Sequence, residues 1–375
     1  MSGRWQNMTW RDRAAKAWMP DHLASRTFEF SEATVRAAEQ ATAALSRSDF
    51  ALPANWEPLA RLILRTEGIA SSSIEGVHAP LVEIAAAELA GSTGDAGWIV
   101  DNLNAVAEAL AEPAPLDVDT LHDWHRTLMH HSSLDPSMIG AFRTAPSWIG
   151  GTSPLDAAFV PPPADAVGDL MDELVVYANQ DHRDPVTQAA LVHAQFETIH
   201  PYGDGNGRLG RMLIGWLLRR RGVVVKLPPP ISVLIARDPG GYISGLHLFR
   251  EGPVDTWVRW FADVSLAAAR QSDSMIDAVT GILDDFEATV GDLRADAAAR
   301  RLIPLLPQAP VLTAATVAQL LDTSTRSGRS ALDLLQQRGL MHRIPSRLDT
   351  KASLGRPADH YAATALLDAA AGWAR

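Results

Sequence analysis

The run His200-Pro201-Tyr202-Gly203-Asp204-Gly205-Asn206-Gly207-Arg208, with Arg211 three residues on, brings together the groups that phosphoryl-type transfer requires. Glycines at 203, 205 and 207 let successive backbone N–H groups turn toward one point and form a nest for an anion. A helix starting near Arg208 adds the positive end of its dipole there. Arg208 and Arg211 share one helical face. Side chains near a helix start lean toward its N-terminus, so both guanidiniums can reach back over the nest. Arginine suits bidentate contact with phosphate oxygens. Asp204 is out of place in an anion site unless it holds a divalent cation such as Mg²⁺ that bridges phosphates. His200, at the end of the preceding helix, is a base whose unperturbed pKa lies near neutrality. Such a transfer depends on positioning and charge neutralisation, and this set supplies both.

Plainer readings of these residues stand beside that one. A Gly/Asn/Asp-rich stretch between two helices is often only a turn. This one follows a helix rather than a strand and lacks the Lys-Ser/Thr of a P-loop, so the Rossmann and Walker readings fail. His193, Glu197 and His200 fall at i, i+4 and i+7 on one helical face and could ligate zinc, although the HExxH spacing and a fourth ligand are missing.

The segment Phe196-Glu197-Thr198-Ile199-His200-Pro201-Tyr202-Gly203-Asp204-Gly205-Asn206-Gly207-Arg208-Leu209-Gly210-Arg211 resembles the signature of the Fic family, His-x-Phe-x-Asp/Glu-Gly-Asn-Gly-Arg-x-x-Arg, with Tyr202 where Phe is usual. The resemblance implies a mainly α-helical Fic bundle with a small β-hairpin flap. It also implies transfer of AMP from ATP to a Ser, Thr or Tyr hydroxyl of a target protein. On that basis His200 is the general base and Asp204 the Mg²⁺ carboxylate. Gly205, Asn206 and Gly207 form the phosphate nest, and Arg208 and Arg211 bind the outer phosphates. Gly207 stands where the phosphorylating branch of the family has Lys, which favours nucleotide transfer with pyrophosphate leaving.

Two further segments carry the same resemblance. Ser71-Ser72-Ser73-Ile74-Glu75-Gly76 matches the inhibitory pattern Ser/Thr-x-x-x-Glu-Gly/Asn, which implies that Glu75 pairs with Arg211 and blocks placement of the γ-phosphate. A carboxylate at a helix C-terminus is disfavoured by the dipole, so a cationic partner would compensate. The plainer reading makes Ser72-x-x-Glu75 a capping box for the next helix. Trp148, Ile149 and Gly150 with Phe159 and Val160 look like the flap, whose strand edge would hold the target segment by main-chain hydrogen bonds; the alternative is a plain structural hairpin. Tyr242 and Trp257 lie where relatives form the adenine pocket. The paired tyrosines usual there are reduced to Tyr242, and either aromatic could instead be core.

Helical spacing of apolar residues predicts the elements that must position these groups: 57–75, 81–90, 98–111, 117–131, 166–179, 185–199, 209–220 and 255–270. Residues 147–163 break the pattern with two short β-prone runs around Gly150-Gly151-Thr152-Ser153-Pro154. Near the end, two short helices around Asp322-Thr323-Ser324, then a polar stretch at 342–358, predict a winged helix-turn-helix. The organisation expected is therefore a helical region at 1–95 with the inhibitory motif, a Fic core at 96–270, a connecting helix at 271–300 and the winged helix at 301–375.

Composition narrows the function classes. The chain has 375 residues, 47% hydrophobic and 21% charged, with a formal net charge of −11 and no cysteine. That excludes disulfides and thiolate chemistry and argues against a chain whose main work is coating nucleic acid. The N-terminus shows no signal-peptide pattern and no apolar run reaches membrane-spanning length, so a soluble, cytoplasmic protein is expected. The partners implied are ATP, a target protein, the chain itself through self-modification, and a second copy in a homodimer. Two alternatives remain. One is a DNA-binding regulator, since 311–361 carries seven basic residues (Arg326, Arg329, Arg338, Arg343, Arg347, Lys351, Arg356) against four acidic ones. The other is an enzyme that also removes AMP, with Glu75 positioning water.

Overall fold

In the computed structural model, which describes residues 2–52, 55–91, 94–111, 114–344 and 359–374, the chain opens with two paired strands rather than a helix. Strands β1 (Gly3–Trp10) and β2 (Arg13–Pro20) run antiparallel in unbroken register from Gly3↔Pro20 to Trp10↔Arg13. This corrects the expectation of a helical region over all of 1–95. The turn that closes the hairpin is Arg11-Asp12, both at positive φ (48° and 62°). Two-residue hairpin turns usually signal themselves with Asn or Gly, and neither is present.

Helices follow. Helix α1 (Glu32–Phe50) is capped by Ser31 and buries Ala37, Ala38, Ala41 and Leu45, one helical stripe. Next come α2 (Glu57–Ile74), α3 (Leu81–Ala90), α4 (Asp95–Ala111), α5 (Val118–Leu128) and α6 (Val167–Ala178). Helix α7 (Pro185–Ile199) is buried from Val186 to its last residue, polar His193, Gln195 and Glu197 included, so it is covered on every side and forms the centre of the core. Against it lie α8 (Asn206–Arg220), α10 (Pro239–Glu251), which follows the short α9 (Ile231–Arg237), and the first half of α11 (Val254–Thr289).

Helix α11 was expected to stop near Arg270. It runs on without a break for 36 residues, or about 54 Å at 1.5 Å per residue. Ser272, Met275 and Val279 keep one face buried. Beyond α12 (Ala298–Leu302), strand β3 (Val311–Leu312), helices α13 (Ala314–Leu321) and α14 (Thr325–Gln337), and strands β4 (His342–Ile344) and β5 (His360–Ala362) form a helix-turn-helix on a small antiparallel sheet ordered β3-β5-β4. Helix α15 (Thr364–Trp373) closes the chain. Of the expected wing at 342–358, residues 342–344 form β4, and 345–358, with Arg347, Lys351 and Arg356, lie outside the described residues.

The core of the C-terminal unit is continuous with α2 and α3. Leu59, Leu62 and Ile63 of α2 and Leu81 and Ala85 of α3 share one apolar cluster with Leu302, Val317, Leu335 and Leu366. Arg65 of α2, buried, reaches across: its Nη1 and Nη2 donate to the carbonyls of Pro307 (3.0 Å) and Gln308 (2.5 Å), and Glu88 pairs with it. Among the described residues no helix is long and apolar enough to cross a membrane.

Candidate active site

The connection between α7 and α8 is held rigid from within. His200 ends α7 in the left-handed conformation (φ 51°), its N–H bonded to Phe196 O at 2.8 Å. Asn206 ties the loop at its other end. Its Oδ1 accepts from Tyr202 N–H (2.8 Å), and its Nδ2 donates to Tyr202 C=O (2.9 Å). The Asn206 side chain, expected in the phosphate nest, is therefore committed to the loop. Gly205, at φ 77°, caps α8, and the first N–H groups of that helix have no intrahelical partner.

Sequence reasoning missed the two side chains that brace this loop. His125 of α5 accepts from Gly140 N–H through Nδ1 (2.8 Å), so its Nε2 carries the proton and donates to Asp204 C=O (3.1 Å). Burial holds its pKa down, to about 4. The Tyr202 ring stacks on it at 4.1 Å, and the Tyr202 hydroxyl meets His122 Nδ1 at 3.0 Å, which accommodates the departure from Phe. Arg143 is buried and has no carboxylate partner among the described residues. It donates only to main-chain carbonyls: Nε to His200 (2.8 Å), Nη1 to Ala145 (3.1 Å), and Nη2 to Pro162 (2.6 Å) and Ile199 (3.3 Å). Burial lowers its pKa to about 10. No motif announces either residue, because their partners are backbone atoms distant in sequence.

His200 presents a buried Nδ1 with no partner among the described residues. Burial, then the nearby Arg143 charge, depress its pKa to about 4, so the ring is neutral at pH 7. Asp204 keeps a largely exposed carboxylate 3.8 Å from Arg208 Nη2. The two share a cleft of about 530 Å³ with Trp98, Met129, Ser132 and Leu134. A single exposed carboxylate at the mouth of an open cleft fits Mg²⁺, which keeps several waters and takes its remaining oxygens from phosphates. The buried Nε of Arg208 has no partner among the described residues.

Arg211 is held against α2 through Nε and Nη2. Its Nε donates to Ser71 Oγ (2.9 Å), and its Nη2 donates to Ser71 C=O (2.8 Å) and Glu75 Oε1 (2.9 Å). Burial is the largest influence and works against its charge, but Glu75, Tyr242 and Glu197 together outweigh it and raise its pKa. Glu75 lies at the C-cap of α2, not at the start of a helix, so the capping-box reading of Ser72 and Glu75 fails. Gly76 (φ 78°) ends α2, and Asn102 Nδ2 holds Ser72 Oγ at 3.2 Å. Two turns before Glu75 on α2, Glu67 is partly buried and accepts from Ser232 N–H at the start of α9 (2.9 Å).

The zinc reading also fails. His193 donates from Nδ1 to Gly210 C=O (2.9 Å) and accepts from the Tyr242 hydroxyl at Nε2 (2.9 Å), so neither nitrogen is free. Burial holds its pKa down to about 3. No group of three metal-ligating side chains occurs among the described residues. Tyr242 is buried, stacked on His193 and tilted against Trp257. Both aromatics considered for the adenine pocket are thus core.

The flap is smaller than expected. Only Ile149 and Phe159 pair, by N–H···O bonds of 2.8 and 3.1 Å. Asp156 folds the tip inward, accepting from Thr152 and Ser153 N–H groups. In the C-terminal unit, Arg329 and Arg343 share Asp359, and Arg338 pairs with Asp292, so three of the four described cations considered for DNA are engaged in ion pairs.

Residues 115–218, which hold His125, Arg143 and the whole α7–α8 connection, match the Fic/DOC family model. The chain carries a Fic domain. Similar curated proteins include the protein adenylyltransferase Fic of Drosophila virilis, 31% identical over 158 residues, and that of Drosophila melanogaster, 32% identical over 158 residues. Each match covers 41% of this chain but only 30% and 29% of those relatives, so the matched part spans under a third of their length. A Fic family protein from Desulfovibrio desulfuricans G20 shares the fold with a TM-score of 0.56 at 20% identity, over 90% of this chain and 97% of that one. Fic-1 (residues 134–508) from C. elegans does so at 0.54 and 18%, over 65% and 73%. The Fic fold thus extends beyond the matched segment.

Proposed function

We propose that this chain is a protein adenylyltransferase that moves AMP from ATP to a protein hydroxyl and is restrained by Glu75. The observation that carries the reading is the convergence, at the N-terminus of α8, of a neutral His200, Asp204, Arg208 and Arg211, with the Glu75 carboxylate already lodged on Arg211. An anion from the protein itself marks the place as an anion site. The adenylyltransferase name of the curated relatives supports the same reading.

In this proposal ATP lays its phosphates along the α8 N-terminus, against the free N–H groups and Arg208. His200 takes the proton of the target hydroxyl as its oxygen attacks the α-phosphorus. The bond to the bridging oxygen breaks, and pyrophosphate departs. Mg²⁺ on Asp204 would neutralise charge on the phosphates. Glu75 holds Arg211 away from the γ-phosphate until α2 shifts. The C-terminal helix-turn-helix is read as a winged helix that docks protein rather than DNA, given that three of its arginines are held in ion pairs.

The test is incubation with Mg²⁺ and ATP labelled at either the α- or the γ-phosphate, in the presence of cell lysate. Glu75→Gly is expected to transfer the α-label to protein, and Glu75→Gly/His200→Ala to lose that transfer by roughly 10²–10⁴-fold. Transfer of the γ-label instead, or equal α-labelling with and without His200, would overturn the reading.

A further inference from the structure

Residues 2–20 take no part in the chemistry above, yet they are built onto the flap. The base of the β1–β2 hairpin is fixed to α10: Ser2 N–H and Oγ donate to Arg250 C=O (2.8 and 2.9 Å), and Oγ also reaches Phe249 C=O (2.7 Å). The Arg250 guanidinium in turn lies 3.9 Å over the Phe159 ring of the flap. Along the hairpin, Trp18 N–H donates to Val160 C=O (2.9 Å), next to the residue that bridges to Ile149. The backbones therefore run β1, β2, 158–160, 147–149 as neighbours.

Side chains join the same parts. Trp5 packs edge-on against Trp18 (5.2 Å) and Phe159 (6.3 Å), and Trp10, at the hairpin tip, meets Trp148 at 5.5 Å. Pro162, two residues past Val160, is stitched by Arg143 to the carbonyl of His200. An unbroken line of contacts thus connects the hairpin tip to His200.

The hairpin also differs from the rest of the chain in charge. Residues 2–20 hold Arg4, Arg11, Arg13 and Lys16 against Asp12 alone, a charge of +3 in a chain of −11, which leaves −14 elsewhere. None of these five side chains makes an ion pair among the described residues, and the strands are exposed from Arg4 to Trp10 and from Arg13 to Lys16 apart from partly covered Met8, Trp10 and Ala15. Arg13 stands opposite Trp10 in the ladder, and the Arg11 guanidinium lies 5.3 Å from the Trp10 ring. Two cations therefore flank the aromatic pair that abuts the flap.

The geometry points to the β1–β2 hairpin as a target-selecting arm. It receives an extended, acidic polypeptide segment, with Arg11 and Arg13 on its carboxylates and the Trp10–Trp148 pair against its apolar or aromatic side chains. The flap aligns the adjoining hydroxyl with His200. This inference rests on the adenylyltransferase reading for its purpose, but not for its binding chemistry. Continuity with the flap and with His200 favours a polypeptide over a nucleic acid, since what the arm holds is delivered to the base. Charge complementarity selects the acidic class and hastens its capture.

Two measurements test the arm. The first is fluorescence anisotropy with labelled random copolymers of Glu with Tyr and of Lys with Tyr, using the full chain and its exposed Arg11→Glu/Arg13→Glu variant. The Glu–Tyr copolymer is expected to bind the wild type about tenfold more tightly than the Lys–Tyr copolymer at low salt, and the double variant to abolish or invert that order. An unchanged preference overturns the arm, as does tight binding of oligo-dT through these arginines without binding of the copolymer. The second is α-label transfer to the Glu–Tyr copolymer in the Glu75→Gly background, with ATP affinity measured alongside. Loss of transfer at unchanged ATP affinity on adding Arg11→Glu/Arg13→Glu supports the arm, and equal transfer overturns it. Copolymer binding that follows the arginines, with no label transferred to any protein, would leave the arm standing and remove the adenylyltransferase reading.

Discussion

Glu75 fills the space that a side chain at position 207 would need: a Cβ on Gly207 would clash with Glu75 Oε1 and press on Arg211 Nη1. The glycine at the start of α8 is thus required by the carboxylate as much as by any phosphate. Because Gly207 has ordinary helical geometry, adding a methyl group there costs little in itself. Gly207→Ala should therefore push Glu75 off Arg211, with a loss of about 1–3 kcal/mol from the disrupted charged bond. In the Glu75→Gly background the same change should cost much less, and denaturant titration of the four proteins measures the difference. Additive losses would show that the two residues do not compete for space.

Arg143 gives a second prediction. It is a buried guanidinium that joins the flap to the loop of His200, through carbonyls of Ala145, Pro162, Ile199 and His200. Arg143→Ala leaves these acceptors without a donor, at about 1–3 kcal/mol each where water cannot reach them. We expect a lowered Tm and faster hydrogen exchange across 145–162. In the Glu75→Gly background, transfer to protein should fall while ATP affinity holds. Loss of ATP affinity in proportion to transfer would assign Arg143 to nucleotide binding instead.

Residues such as Arg143 show where sequence reasoning reaches its limit. The run from His200 to Arg211 was legible because its groups are contiguous, and α7, α8 and the α13–α14 pair were legible from spacing and caps. The contact of Glu75 with Arg211 was reached through resemblance, since no local signal links positions so far apart. Arg143, His125 and Glu67 act on main-chain atoms, which every residue offers, so no residue pattern marks their partners. The opening hairpin escaped notice because Arg11-Asp12 takes a turn conformation that those side chains rarely announce.

The third prediction concerns pH. Glu197 is buried beside Gly210 with Oε1 lacking a partner, and burial raises its pKa from 4.5 to about 7. A folded-state pKa above the unfolded one means that the proton is held more tightly in the native state. The associated stability is present below pH 4.5 and is lost as pH rises through 7. The gap corresponds to about 3 kcal/mol. Glu197→Gln cannot ionise, so its stability relative to wild type should climb between pH 5 and pH 8 in thermal melts. A difference that stays constant across that range would show that Glu197 does not titrate there. The buried His193 acts in the opposite sense, losing stability as pH falls below its ordinary 6.5, but it is common to both proteins.

A fourth prediction tests the far end of α2. Arg65 anchors that helix to the carbonyls of Pro307 and Gln308. Removing one partner of a buried charged set costs about 3–5 kcal/mol. Arg65→Ala should lower Tm, free α2 and raise α-label transfer above wild type, yet add nothing on top of Glu75→Gly. A variant that is destabilised but no more active would separate the anchor from the restraint.

Helix α2 therefore has one end in the C-terminal core, through Leu59, Leu62 and Ile63, and the other on Arg211, through Ser71 and Glu75. A rigid element shared by two sites obeys linkage, and linkage is reciprocal. If a partner seated on the C-terminal helices eases ATP onto Arg211 by some factor, ATP strengthens that partner's grip by the same factor. The unit at the end of the chain would then serve as a reporter of nucleotide as well as a control on its use, with its occupancy rising and falling with the ATP supply.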